Sequence, residues 1–102
     1  GEQMDESAAE QAISSVDMSD LVTEFKSNLV LEQQDIILHI KNNELEKLAE
    51  LAHRIAGAAQ MFGFSLVSMS AIKLEKHIKT GSSQLISEAA QNLLNEIDQV
   101  LW

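Results

Sequence analysis

The sequence predicts an all-α protein folded as an antiparallel, up-and-down bundle of four helices. Apolar residues recur at every third or fourth position in four successive stretches, the spacing of one buried helix face. Proline is absent and only four glycines occur in the 102 residues, so few residues break the helices. Connections of roughly two to four residues make successive helices antiparallel. No stretch alternates with the period of a strand.

The composition argues against several kinds of structure and function. With 45% hydrophobic residues, a chain of this length is one small domain with a modest core. The net charge of −9 argues against nucleic acid, whose phosphate backbone would repel the protein. Cysteine is absent, which excludes disulfides and thiolate metal sites and fits a reducing cytoplasm. No run approaches the ~20 apolar residues of a membrane span and no signal peptide is visible. We expect a cytoplasmic protein without direct membrane contact that is a monomer when isolated.

Residues 1–18 are predicted to be an acidic lead-in, with five acids and no base. Its alanines and Ile13 favour a weak helix over Met4–Ser14 that caps one end of the bundle, and a disordered lead-in is the equal alternative. The bundle itself is predicted to occupy residues 19–102. Because the chain opens with Gly1, we expect a fragment of a longer protein or a processed chain.

Cap and break residues separate the first two helices. Ser19 or Asp20 is predicted to cap the first, because a short side-chain oxygen accepts from the unpaired amides of a first turn. Asn43 with Glu46 resembles a capping box at the start of the second. Gly63 is well placed as the left-handed residue that ends the second helix.

The third and fourth helices follow the same pattern. The third runs from about residue 64 or 65 to Thr80, where Gly81 ends it, and Ser82 or Ser83 caps the fourth. The core-facing stripe of the first helix consists of Val22, Phe25, Leu29, Ile36 and Ile40. That of the third helix consists of Val67, Ala71, Leu74 and Ile78. That of the fourth helix consists of Ile86, Ala90, Leu93, Ile97 and Val100 or Leu101.

The second helix, Leu45 to Gly63, carries a histidine in unusually small surroundings. On a helix the neighbours of His53 on its own face include Ala49, Ala56 and Gly57. A glycine inside a helix costs about 0.5–1 kcal/mol relative to alanine. Gly57 therefore indicates a helix face without bulky side chains, which a large partner can approach. The opposite face is a core stripe, which makes His53 point outward: Leu48, Leu51, Ala52, Ile55, Ala59 and Phe62.

An exposed neutral imidazole is a nucleophile near pH 7, because its unperturbed pKa is about 6.5. One ring nitrogen can accept a phosphoryl group while the other donates to an acceptor that holds the tautomer. The chain lacks a glycine-rich phosphate loop, a Walker lysine motif and a nucleotide-associated acidic cluster. If His53 carries phosphate, a partner must therefore supply the catalytic machinery.

The residues around His53 resemble the signature of histidine-containing phosphotransfer (HPt) domains. The matching residues are AHRIAGAA at positions 52–59 and Phe62-Gly63, with Val67, Ala71 and Leu74-Glu75 downstream at the family's spacing. The resemblance covers residues 19–102. It implies a four-helix bundle whose exposed His53 is phosphorylated and shuttles phosphate between the aspartates of receiver domains. No cofactor is implied for this chain, since Mg²⁺ is expected in the receiver. The chain is similar to C-terminal modules of bacterial hybrid sensor kinases, some of which are membrane-anchored.

The resemblance also implies roles for residues near the histidine. Glu75 matches a polar position on the neighbouring helix and is expected to accept from the imidazole, and Gln60 lines the same surface. Gly57 would let the receiver approach. The expected docking face consists of Ala49, Glu50, Ala56 and Gly57.

One position departs from the family pattern. HPt domains usually have a lysine three residues after the histidine that helps to neutralise the phosphate, and here that position is Ala56. Arg54 or Lys73 is expected to substitute for it in part.

Other interpretations remain open at this stage. Glu50-x-x-His53 is one element of the kind that di-iron bundles use, but no second such pair occurs. A passive interaction module without chemistry is the alternative function. Gly57 would then serve close helix packing, and Glu75 would be a solvated charge. We interpret His39 and His77 as ordinary surface or boundary residues.

Overall fold

The computed structural model describes residues 18–102, and the predicted helix Met4–Ser14 lies outside the described residues. Within the described residues, four helices follow one another: α1 (Met18–Lys41), α2 (Leu45–Met61), α3 (Ser65–Thr80) and α4 (Ser83–Leu101). No strand occurs within residues 18–102, so the predicted all-α class is confirmed. No helix in this range is long and apolar enough to cross a membrane.

The helices pack in a ring around one core. α1 contacts α2 and α4, and α3 contacts the same two helices from the other side. Each predicted stripe reaches the core, and its largest fully buried side chains come from all four helices: Leu29, Ile36, Leu48, Leu51, Ile55, Val67, Leu74, Leu93 and Ile97. Phe25 closes the end of the bundle by packing on Phe62 and Phe64, with ring centroids 5.3 and 5.4 Å apart.

Small side chains line the interface between α2 and α3. Ala52, Ala56 and Ala59 are buried on α2, and Ala71 is buried on α3, which lets the two backbones approach closely. The buried Ser68 hydroxyl donates a 2.9 Å hydrogen bond to the Ala56 carbonyl oxygen, so it crosses this interface without leaving a polar group unpaired. This interface fixes the position of α3 beside the exposed face of α2.

Three of the helix ends follow the predicted chemistry. Gly63 and Gly81 both adopt φ = +83°, the left-handed conformation in which a side chain is strained. The Ser82 hydroxyl accepts from the Leu85 amide at 3.4 Å, which confirms the predicted cap of α4.

The predicted caps of α1 and α2 are wrong. Ser19 and Asp20 both lie inside α1, which already includes Met18. Glu44 precedes α2 without a side-chain cap hydrogen bond, because Asn43 is used for the turn itself, in a left-handed conformation with φ = +55°. Asparagine tolerates that conformation better than most residues, which explains its place in the turn.

Two carboxylates near the α1–α2 side of the bundle have pKa values shifted in opposite directions. Burial raises the pKa of Glu32, and Asp35 adds to the shift while Arg54 opposes it. Hydrogen bonds from His39 and then Lys47 lower the pKa of Glu44. A carboxyl whose pKa is raised by folding destabilises the folded state above that pKa, where the group is ionised. A carboxyl whose pKa is lowered by folding stabilises the folded state above the unfolded-state pKa, and this stabilisation is lost as the pH falls.

We therefore expect Glu32→Gln to raise the unfolding midpoint at pH 7 and Glu44→Gln to lower it. Both differences should shrink as the pH falls toward about 4, where the unfolded-state carboxyls become protonated. Urea denaturation at several pH values measures both variants against the wild type. Shifts of the same sign at pH 7 would contradict the opposite environments of the two carboxylates.

Candidate functional site

His53 lies on the outer face of α2, next to α3. Its side chain is 76% exposed, although Ala52 before it is fully buried. The core stripe of α2 turns the ring outward, as its spacing predicts. The imidazole is therefore accessible to a macromolecule as well as to water.

Glu75 on α3 contacts the imidazole of His53 across the helix interface. The His53 Nδ1 atom lies 3.2 Å from Glu75 Oε1. A carboxylate accepts hydrogen bonds and cannot donate them, so Nδ1 is the protonated nitrogen of the neutral ring. The lone pair then resides on Nε2, which becomes the nucleophilic atom.

Lys79 completes the site, and the sequence analysis missed it. The Lys79 Nζ atom lies 3.4 Å from Glu75 Oε2, so one carboxylate holds the ring with one oxygen and an ammonium group with the other. The Glu75-x-x-x-Lys79 spacing, typical of ion pairs on one helix face, was the available signal. We call His53, Glu75 and Lys79 the His53 triad.

The charge state of Glu75 follows from these contacts. Partial burial alone would raise its pKa, but the hydrogen bonds from His53 and Lys79 outweigh burial and hold the pKa below its ordinary value. Glu75 is thus a carboxylate at neutral pH, the form that can orient the ring.

The docking face predicted around His53 is only partly exposed. Ala49, Glu50 and Gly57 lie on it, and Ala49 and Glu50 line a shallow cavity of about 450 Å³ with His53, Arg54 and Glu75. Ala56 does not belong to it: this residue is only 7% exposed, because it faces α3 and receives the Ser68 hydroxyl.

Gly57 has open space above it. A Cβ atom built there would meet no atom within 4 Å, so the absent side chain makes no room for a neighbouring helix. The interpretation of Gly57 as a close-packing residue is therefore wrong. What remains is a low point of the surface, one turn beyond His53.

The two cations expected to replace the family lysine are placed differently from each other. Arg54 borders the His53 cavity, but it also lies close enough to Glu32 on α1 to lower the pKa of that carboxyl. Lys73 lies in the groove between α3 and α4, with His77 and Glu88, away from the α2–α3 interface. The prediction for Lys73 is wrong, because α3 turns this position toward α4 when Glu75 faces α2.

Gln60 lies further along the same side of the α2–α3 pair. It lines a separate shallow cavity with Ser68, Met69 and Ile72, two helical turns from His53. No hydrogen bond joins it to the imidazole in the described part of the chain.

A second, more buried triad has the same arrangement. His39 Nδ1 lies 3.1 Å from Glu44 Oε1, and Lys47 Nζ lies 3.1 Å from Glu44 Oε2. The difference is access, since the side chain of His39 is only 18% exposed. This His39 triad secures the α1–α2 turn and offers an internal control for the His53 triad.

Among residues 18–102, no group of three or more histidine, aspartate or glutamate side chains is arranged to hold a metal ion. Glu50 and His53 border one cavity, and Glu75 is the other acidic residue that lines it. Glu75 already contacts the imidazole ring and Lys79.

The fold and the site define a helical bundle that, within its described residues, presents one exposed histidine whose ring contacts a carboxylate. The sequence model of one protein family, described as the Hpt domain, matches residues 7–101. The chain therefore belongs to the Hpt domain family, which confirms the resemblance. Hpt domains are phosphotransfer modules of phosphorelays that interact with receiver domains and are not themselves enzymes. No curated protein and no solved structure was found to match the chain.

Proposed function

We propose that this chain is the phosphocarrier of a multistep phosphorelay and that His53 is the residue that carries the phosphoryl group. It accepts the group from the aspartate of one receiver domain and passes it to another receiver, or back. The observation that supports this assignment is the exposed imidazole whose Nδ1–H is held by the Glu75 carboxylate.

In the transfer step one bond to phosphorus forms as another breaks, and no proton leaves the ring. The Nε2 lone pair attacks the phosphorus of the aspartyl phosphate in line. The N–P bond forms while the P–O bond to the aspartate breaks, and its electron pair leaves on the aspartate carboxylate. Nδ1 keeps its proton, so the product ring is positively charged and its contact with Glu75 becomes a charge-assisted hydrogen bond. The reverse step restores the neutral ring.

The catalytic charges come from the partner in this proposal. The receiver supplies the acyl phosphate, a bound Mg²⁺ and a lysine that stabilise the transferring group. This chain supplies the nucleophile, its orientation and a low surface around Ala49, Glu50 and Gly57 on which the receiver docks. We propose that the chain itself has no cofactor and no nucleic-acid or membrane partner. We also propose that it is a monomeric, cytoplasmic module that forms one segment of a hybrid sensor kinase, and such a kinase can itself be membrane-anchored.

Replacing Glu75 by glutamine should slow transfer about tenfold, the lower end of the effect of losing a partner that orients a histidine. The amide no longer fixes the tautomer or stabilises the positive ring. Single-turnover transfer from a phosphorylated receiver measures the rate. Lys47→Gln, which changes a charge in the His39 triad, should transfer at the wild-type rate, and an unchanged rate for Glu75→Gln would mean that the carboxylate is only a surface charge.

The direct test is transfer of radiolabelled phosphate from a purified phospho-receiver to the chain. A phosphocarrier acquires a label that survives base and is lost in acid, the behaviour of phosphohistidine, whereas an acyl phosphate is lost in base. A passive interaction module, the alternative function, binds the receiver without acquiring label. Circular dichroism confirms that the tested chain is helical.

A further inference from the structure

Phosphorylation would bring new negative charge to a surface that is already acidic. The chain carries a net charge of −9, and Glu50 and Glu75 both border the cavity at His53. A dianionic phosphoryl group beside these carboxylates raises the free energy of the phosphorylated state unless a cation lies within a few ångströms. The position of that cation determines how much phosphate the chain holds at equilibrium.

The cations near α2 and α3 differ in what they face. Arg54 borders the cavity at His53 but also lies near Glu32, with which it interacts, and Lys73 lies in the groove on the α4 side of α3. Lys79 is joined through Glu75 to the imidazole itself, with a 3.4 Å contact to one carboxylate oxygen and a 3.2 Å contact from the ring to the other. Lys79 is thus the cation that the contacts connect to the reacting ring.

We propose that Lys79 moves its charge from Glu75 to the phosphoryl group when His53 becomes phosphorylated. This inference rests on the proposed function and identifies the residue that sets the stability of its phosphorylated state. In the unphosphorylated chain one oxygen of Glu75 contacts the imidazole ring and the other contacts Lys79. After transfer, the positively charged ring strengthens its own hold on Glu75, and the ammonium group is released to neutralise the phosphate.

Because Lys79 is exposed, breaking its contact with Glu75 costs little free energy. Its side chain is 72% exposed, and an exposed ion pair between neighbours on one helix contributes little to stability. Lysine also has a flexible four-carbon stem and a compact charge that can move without rearrangement of the backbone. Glu50 acts in the opposite sense, because it is exposed and places a negative charge at the same cavity.

The test measures how phosphate distributes between a receiver and this chain at equilibrium. This ratio depends on the stability of the phosphorylated states and does not change when docking is merely slower. Lys79→Gln should shift the ratio toward the receiver by about twofold to fivefold, the range of one partly solvated ion pair. Lys79→Arg should restore the wild-type ratio, and Glu50→Gln should shift the ratio toward this chain. Higher salt should reduce both shifts.

Lys47→Gln is the matched control, because it removes an exposed lysine from an equivalent lysine–glutamate contact away from His53. Equal ratios for wild type, Lys79→Gln and Lys47→Gln, with label present on all three, would overturn the inference and leave the proposed function intact. A shift of the same size in both glutamine variants would also overturn it, since net charge alone would then explain the result. Absence of label from the wild type would overturn the proposed function and the inference with it.

Discussion

Replacing His53 with glutamine is expected to abolish phosphoryl transfer to the chain completely. The Nε2 lone pair is the free nucleophile of the His53 triad, because both oxygens of Glu75 are engaged, one with the ring and the other with Lys79. The fold should remain intact, since the side chain is 76% exposed and exposed substitutions change stability by about 0.5 kcal/mol or less. Transfer of labelled phosphate and urea denaturation of the same preparation measure both properties.

His39→Gln is the matched control for this experiment. Both histidines contact a glutamate through Nδ1, and both glutamates contact a lysine, so the two variants remove the same kind of contact. The His39 ring is mostly buried at the α1–α2 turn, and its loss should lower the unfolding midpoint without reducing the label. Label that persists in His53→Gln and disappears in His39→Gln or His77→Gln would move the phosphorylation site and contradict our assignment.

Filling the space above Gly57 should affect the fold and the function in opposite directions. Gly57→Ala is expected to stabilise the chain by about 0.5–1 kcal/mol, because alanine favours a helix over glycine and the added Cβ meets no atom. Gly57→Gln should keep part of this stabilisation and slow transfer about a hundredfold, the cost of displacing a reacting group by roughly 1 Å. The long side chain would hold a docking receiver away from Nε2.

The measurement pairs thermal unfolding with single-turnover transfer across the series of glycine, alanine and glutamine at position 57. Ser87→Gln, an equivalent enlargement of an exposed residue in the groove between α1 and α4, should leave transfer unchanged. A wild-type rate for Gly57→Gln would place the docking surface elsewhere on the bundle. Since stability is expected to rise while the rate falls, partial unfolding cannot explain the predicted result.

Much of the fold and the position of the nucleophile could be predicted from the sequence. The helices begin and end close to the predicted residues, because apolar period and terminal glycines are local features of the chain. The outward direction of His53 follows from the same local reasoning, since the stripe of α2 fixes which side is buried. The cap of α2 was predicted wrongly because Asn43 has two uses, a helix cap and a left-handed turn residue, and the turn geometry selects the second.

Glu75 was expected beside His53 from the family resemblance, but the contact itself and the place of Lys79 required the tertiary structure. Periodicity assigns each residue an angle around its own helix, but the axial offset and relative rotation of two helices depend on how their side chains interlock. The hydrogen bond from Ser68 to the Ala56 carbonyl is part of that fit between α2 and α3, in which Glu75 lies beside His53. The same rotation buries Ala56 and turns Lys73 toward α4.

The sequence alone thus determined the helical class, the helix bounds and the exposed histidine, because each of these depends on residues close together in the chain. The family resemblance named Glu75 as the expected acceptor, and only the tertiary structure decided the contact that Glu75 makes with the ring and the lysine that accompanies it. Those contacts cross from α2 to α3, between residues 22 positions apart in the case of His53 and Glu75, and the packing of small side chains between the two helices is what brings them together.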